Sequence, residues 1–255
     1  MRIATWNVNS LKVRLPHVLD WLATAEVDVL GLQELKLTED KFPFAELRAA
    51  GYEAVVNGQK TYNGVALLSR LPMADVSLDM PDYQDEQKRV ITASVGGVRV
   101  VNAYFPNGQS LDSDKYRYKL DWLDAMKGYM AGELTRHDKL CLVGDYNIAP
   151  TDADVKNPDE WVGQVLVSEP ERAAFNALIA QGFSDCFRRF PQPEKTFSWW
   201  DYRMMAFRRN NGLRIDHILA SPKLAEACTA CVIDKEPRKK EQPSDHAPVV
   251  ANFTI

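Results

Sequence analysis

No stretch of this chain reaches the roughly 18 consecutive apolar residues that a membrane-spanning helix needs. Its first residues, Met-Arg-Ile-Ala-Thr-Trp-Asn-Val-Asn, also lack the apolar core of a secretory signal, so a cytoplasmic protein with no membrane partner is expected. Cysteine is scarce. Of Cys141, Cys186, Cys228 and Cys231, only the last two approach a metal spacing, and no second cysteine pair or histidine pair accompanies them. Cys228-Thr-Ala-Cys231 therefore reads as small, partly buried residues where a helix passes into a strand, with a zinc or redox centre the weaker reading. Structural disulfides are not expected in a reducing compartment. Positive charge is lacking too: 31 Lys and Arg stand against 35 Asp and Glu, a net charge of −4. No global basic field is available to grip nucleic acid, so any such binding must use local patches. Lys88-Arg89, Lys115 with Arg117 and Lys119, Arg203 with Arg208 and Arg209, and Arg238-Lys239-Lys240 are the candidates, and each reads equally well as solvated surface.

What is present is ordinary for a globular chain. Of 255 residues, 45% are hydrophobic and 26% charged, with a mean hydropathy of −0.32; no disorder is required. A single domain of this length would bury roughly 70–75% of its unfolded surface, so core size sets no limit. No linker interrupts the pattern, and residues 1–255 are read as one domain.

The pattern is organised around Lys139-Leu-Cys-Leu-Val-Gly-Asp-Tyr-Asn-Ile-Ala-Pro150. An apolar, strand-like run enters a glycine, and Asp145 and Asn147 follow two apart, on one face if the strand continues. One can take a proton and the other can donate a hydrogen bond. An Asx turn closing a core strand is the plainer reading of the same letters. Elsewhere, strands are expected over 2–8, 27–32, 52–57, 64–69, 90–95, 98–104, 212–220 and 249–253. Helices are expected over 11–25, 41–50, 115–134 and 170–181. Gly96-Gly97 marks a hairpin turn. Strands outnumber helices, and hairpin spacing alternates with helical crossovers, which points to a β-sandwich with helices packed outside it.

Polar side chains recur at the ends of these strands: Asn7, Glu34, Tyr104, Asp145, Asn147, Asp216, Asp245 and His246. Singly, each is a rim residue or turn former; together they read as one converged site. Carboxylates with amide carbonyls suit hard cations such as Mg²⁺ or Mn²⁺, and with only four histidines in the chain oxygen ligation is favoured. His217 falls on the opposite strand face from Asp216 and reads as structural, and His17 and His137 lie on helix surfaces.

These residues sit in motifs. Trp6-Asn-Val-Asn9, Gln33-Glu-Leu-Lys36, Gly58-Gln-Lys60, Gly64-Val-Ala66, Tyr104-Phe-Pro-Asn-Gly108, Gly144-Asp-Tyr-Asn-Ile-Ala-Pro150, Phe197-Ser-Trp-Trp-Asp-Tyr-Arg203, Gly212-Leu-Arg-Ile-Asp216 and Ser244-Asp-His-Ala-Pro248 occur in that order. In them the chain resembles the exonuclease III branch of the endonuclease/exonuclease/phosphatase superfamily. The resemblance implies a four-layered α/β-sandwich, two packed mixed β-sheets flanked by helices. It also implies a Mg²⁺-dependent phosphodiesterase, with Mn²⁺ able to substitute, acting as a monomer on double-stranded DNA with abasic sites or blocked 3′ ends during base-excision repair. By the same resemblance Glu34 is the principal metal ligand, with Asn7 and Asp245 near it. Asp145 orients or deprotonates the attacking water, Asn147 holds the scissile phosphate, His246 polarised by Asp216 stabilises charge on the phosphorane, and Tyr104 contacts the phosphate. The letters leave open whether Asp145 or His246 is the base. Trp199, Trp200, Arg203, Leu213, Asn107 and Lys60 are implied DNA contacts, with one of the two tryptophans expected buried and one exposed. One segment departs from the family pattern: where abasic endonucleases carry a small residue before Phe-Leu-Pro-Glu-Glu-Arg, this chain reads Leu166-Val-Ser-Glu-Pro-Glu-Arg172. A bulky Leu166 is expected to narrow the pocket for an extruded abasic sugar, weakening incision while 3′-end trimming is kept. A non-catalytic nucleic-acid-binding regulator on the same fold, and a phosphatase or phospholipase of the superfamily, are the alternatives.

Overall fold

The computed structural model describes residues 1–255. Twelve strands form two six-stranded sheets. The first contains β1 (Arg2–Asn7), β2 (Val29–Gln33), β3 (Glu53–Asn57), β4 (Val65–Ser69), β11 (Cys228–Ile233) and β12 (Val249–Phe253), in the order β11-β12-β1-β2-β4-β3. The second contains β5 (Met73–Leu78), β6 (Val90–Val95), β7 (Val98–Tyr104), β8 (Leu140–Asp145), β9 (Ser184–Asp185) and β10 (Asp216–Ala220), in the order β5-β6-β7-β8-β10-β9. Both sheets are mixed, with parallel β1–β2 and β7–β8 pairs at their centres.

Side-chain alternation builds the layers. Ile3, Val29, Cys141 and Val143 face the gap between the sheets, where they join a core of 22 buried residues. Their neighbours point the other way, as a period of two requires. Ala4, Leu30 and Leu32 pack under α1 (Leu11–Ala25). Leu140 and Leu142 pack under α3 (Asp114–Arg136) and α5 (Glu169–Ala180) through Trp122, Met126, Phe175 and Leu178. The result is the expected four-layered α/β-sandwich: helices, sheet, sheet, helices. Shorter helices α2 (Phe44–Ala49), α4 (Pro158–Trp161) and α6 (Pro222–Glu226) complete the chain.

The gap between the sheets is not wholly apolar. From β7, Asn102 Nδ2 reaches across to the carbonyls of Leu32 (3.0 Å) and Ala66 (2.8 Å) in the other sheet, and its Oδ1 accepts from Gln33 Nε2 at 2.6 Å. These bonds tie the two sheets together beneath the ends of β1 and β2.

The strand expected over 212–220 starts only at Asp216, because residues 212–215 leave the sheet to bridge Val155 and Trp199. β5 and β9 have no counterpart in the sequence pattern, and β11 follows α6 at Cys228–Cys231, where a helix is expected to pass into a strand. No helix is long and apolar enough to cross a membrane.

Candidate active site

Register brings the polar strand ends together. Asp145, the last residue of β8, stands opposite Tyr104 of β7 on one side and Asp216 of β10 on the other. In the facing sheet, Asn7 ends β1 beside Gln33, and Glu34 follows β2 directly. The row needs Gly144: a β-carbon there would lie 1.8 Å from the Ala103 carbonyl oxygen, so only glycine lets β7 and β8 run this close.

Asn7 joins the two sheets at this end. Its amide nitrogen donates to Glu34 Oε1 and to Asp145 Oδ2, both at 2.9 Å. The Tyr104 hydroxyl also donates to Glu34 Oε1, at 2.9 Å. Asn147 leaves the strand rather than continuing it. Its backbone is left-handed, with φ 48°, and its N–H donates to Asp145 Oδ1 at 2.9 Å, which is the Asx turn of the plainer reading. The turn does not remove the chemistry, since Asn147 Nδ2 still lies 3.3 Å from Asp145 Oδ2. Asn107 closes the edge by donating to Asn147 Oδ1 at 3.1 Å. Four carbonyls of this loop are held: Phe105 N–H bonds that of Asp145, Lys119 that of Asn147, His217 that of Ile148 and Arg172 that of Ala149.

His246 faces both aspartates. Its Nδ1 lies 2.9 Å from Asp216 Oδ2, and its Nε2 lies 3.7 Å from Asp145 Oδ2. Ser198 secures Asp216, donating to its Oδ2 at 2.6 Å while accepting the N–H groups of Ile215 and Asp216. Burial alone would disfavour an imidazolium at His246, but the Asp216 and Asp145 carboxylates outweigh it and raise the pKa to about 10. Burial raises the Asp145 carboxyl to about 7, against the lowering effect of His246. Burial and the Glu34 and Asp145 carboxylates push the Tyr104 phenol well up, so it stays a donor.

Glu34, Asp145 and His246 offer ligand atoms within 4.8 Å of one another, which makes this a candidate metal site. The two carboxylates are hard oxygen donors suited to Mg²⁺ or Mn²⁺, and Glu34 keeps contact with solvent, so the donor set fits such an ion. Two expected ligands stand differently. Asn7 turns its N–H groups to the carboxylates, while its Oδ1 accepts from Asn9 N–H. Asp245 lies outside the group because its oxygens accept from Asn9 Nδ2 and Trp199 Nε1, both at 3.0 Å.

The chain matches a family described as "Endonuclease/Exonuclease/phosphatase family" over residues 4–246. It belongs to this family. Exodeoxyribonuclease III of Haemophilus influenzae is 38% identical over 99% of this chain and 100% of its own length. A 3′ phosphatase from Neisseria, solved with a product DNA hairpin, superposes with a TM-score of 0.98 at 49% identity, covering 100% of both chains. An AP endonuclease from Archaeoglobus fulgidus superposes with a TM-score of 0.96 at 39% identity, again over 100% of both chains.

Within this endonuclease/exonuclease/phosphatase site, the implied DNA contacts divide. Trp199 is half-buried and lines a cavity of about 700 Å³ with Trp161, Arg203, Met204 and Leu213. Trp200 is a correction: it is wholly buried, its indole donates to Asn210 Oδ1 and its ring meets Phe207 edge-on, so it has no free face for a base. Leu213 is only 1% exposed and forms cavity floor rather than a protruding wedge. Arg203 and Lys60 are exposed, Arg203 being held in a fork by Asp201. Leu166 is the second correction. It does not line this cavity; its side chain is buried, its backbone is left-handed at φ 75°, and its N–H and C=O are bonded to Glu171 and Ala149. Two supporting residues carry no assigned role in the sequence pattern: Asn9, two beyond Asn7 at the same strand end, supports Asp245, and Ser198, within Phe197–Arg203, supports Asp216.

Proposed function

We propose that this chain is a metal-dependent DNA phosphodiesterase of base-excision repair, a 3′–5′ exonuclease and 3′-end-trimming enzyme on duplex DNA with weakened abasic-site incision. The observation that carries this reading is the buried Asp145 carboxylate, placed between the Asn7 and Asn147 amides and facing the Asp216–His246 pair. Hydrolysing a phosphodiester needs an aligned water and neutralised oxygens. Asp145 accepts the proton of the attacking water, its raised pKa placing it near neutrality, where a base is most effective. His246, kept as an imidazolium by Asp216, supplies positive charge to the phosphorane oxygens. The Asn147 and Asn107 amides and the Tyr104 phenol orient the phosphate. Glu34, with Asp145 beside it, would hold Mg²⁺, with Mn²⁺ able to substitute, and such an ion supplies Lewis-acid charge neutralisation. The Neisseria 3′ phosphatase, solved bound to a product DNA hairpin, supports 3′ ends as the substrate class.

Weakened abasic-site incision is tested by comparing incision at an internal abasic site with release of a 3′-phosphate by the wild-type chain; equal rates would sink that part. The 255 residues act as one catalytic domain. Monomeric state and cytoplasmic location are part of the same proposal, and sedimentation as a dimer would overturn the first. Mg²⁺-dependent cleavage of duplex DNA carrying a 3′-phosphate, a blunt end or an internal abasic site tests the whole reading. Binding without cleavage would favour the regulator.

A further inference from the structure

A wholly buried lysine lies beneath the catalytic edge. Lys119, on α3, has a side chain with no solvent exposure. Its ammonium donates to the carbonyls of Asn147 (2.7 Å) and Asn107 (3.1 Å) and to the Glu171 carboxylate. An ammonium has three donors and no acceptor, so all three are used and the charged form is the one that fits. Its stem runs beneath Gly108, whose φ is +95° and where a β-carbon would stand 3.2 Å from Lys119 Cδ. Glu171 is committed elsewhere as well: it accepts the N–H groups of Leu166 (2.9 Å) and Ser168 (3.1 Å) as part of the capping box that starts α5. The two carbonyls that Lys119 holds belong to the two asparagines whose side chains meet at 3.1 Å beside Asp145.

We propose that Lys119 is a positioning residue for the phosphodiesterase reaction. Its ammonium fixes the backbones of Asn107 and Asn147 against each other, so that both side-chain amides are presented to the scissile phosphate in one arrangement. This inference rests on the function proposed above. The bonds are charge-assisted and sealed from water, which makes them stiffer than the neutral loop bonds around them. Lys119 does not touch substrate; it acts through the two asparagines. A purely structural role, cross-linking α3 to α5, would be satisfied by any well-packed pair of that volume.

The test compares wild type, Lys119→Arg, Lys119→Met and the double variant Lys119→Met/Glu171→Gln on duplex DNA with a 3′-phosphate and Mg²⁺. The double variant leaves no unpaired buried charge, so it keeps the test open where the single change fails to fold. It is expected to fall in kcat by about 10²-fold with KM changed less than about threefold, the signature of lost positioning. Lys119→Arg, which still donates from the same place, is expected to recover part of the loss. The side-chain amide ¹H–¹⁵N signals of Asn107 and Asn147 are expected to shift or broaden in the double variant. A folded double variant with wild-type kcat, or with unchanged asparagine amide signals, overturns the proposal. Failure of wild type to cleave any DNA would instead strike the functional reading, and the amide signals alone would then decide the role of Lys119.

Discussion

At the scale of single residues, the site depends on groups whose charge states are set by their neighbours. Tyr104 shows this: its hydroxyl points at Glu34 while its ring lies under the Arg89 guanidinium, 4.8 Å from the ring centroid. Tyr104→Phe keeps the ring and removes only the donor. The expected outcome is a fall in kcat of about 10-fold or more with the melting temperature little changed, as for the loss of one preorganised hydrogen bond to phosphate. An unaltered kcat would remove Tyr104 from the phosphate. Asp216 acts one step further back. Asp216→Asn keeps a partner for His246 but removes the charge that holds the imidazolium, so a loss of about 10²-fold or more in kcat is expected in steady-state kinetics. The Asp145–Asn147 pair was legible from its spacing of two, whereas the Asp216–His246 pair followed only from the family resemblance. Lys119 was not legible, because a lysine on an amphipathic helix reads as solvated surface. Only the arrival of Glu171 and two loop carbonyls from elsewhere in the chain makes its burial tolerable.

At the scale of elements, the central strands and the edge strand β3 were readable, and the exposed edge β5 was not. Strands β1, β2, β4, β6, β7, β8 and β12 announce themselves because they are buried on one or both faces, which fills them with apolar residues. β5 and β11 each lie at one edge of their sheet, mostly exposed on one face, and their letters carry little periodicity. Tertiary pairing, not local pattern, makes them strands. The polar clamp at Asn102 belongs to this scale as well. Asn102→Ala removes two bonds to the facing sheet and one acceptor of Gln33 Nε2, which keeps Thr5 Oγ1 and the Gly31 carbonyl, and it leaves a small cavity in a buried gap. A destabilisation of about 2–3 kcal/mol is expected in urea unfolding, the range for a lost buried hydrogen-bonding group with a small cavity. A change below about 0.5 kcal/mol would show that the sheets are held by apolar packing alone.

At the scale of the whole molecule, one buried ion network fixes the second sheet to the segments around the site. Arg214 bonds Asp154 at 2.7 Å and Asp185 at 2.7 Å, and its third donor meets His217 Nδ1 at 2.9 Å. Since a guanidinium only donates, His217 carries its proton on Nε2 and gives it to the Ile148 carbonyl, two residues beyond Tyr146 in the catalytic loop. His217 is thus the structural histidine its strand face implied. Burial would raise the Asp154 carboxyl, but Arg214 and Arg188 outweigh it and hold it at about 2. A carboxyl depressed on folding contributes stability that is present above its unfolded pKa of about 4 and is lost as pH falls through the folded value. The contribution is about 2 kcal/mol. The gap in unfolding free energy between wild type and Asp154→Asn is therefore expected to be widest above about pH 4 and to close toward about pH 2. A gap independent of pH would contradict this.

The net charge of −4 gives no global field for holding DNA, so binding falls to local patches around the converged strand ends. The most direct test is cleavage of duplex DNA with a 3′-phosphate, by wild type and Asp145→Asn, in Mg²⁺ and in EDTA. The proposed function predicts Mg²⁺-dependent release of phosphate by wild type, abolished by EDTA and reduced at least about 10²-fold in the variant. Equal cleavage by Asp145→Asn, or release undiminished in EDTA, would contradict it.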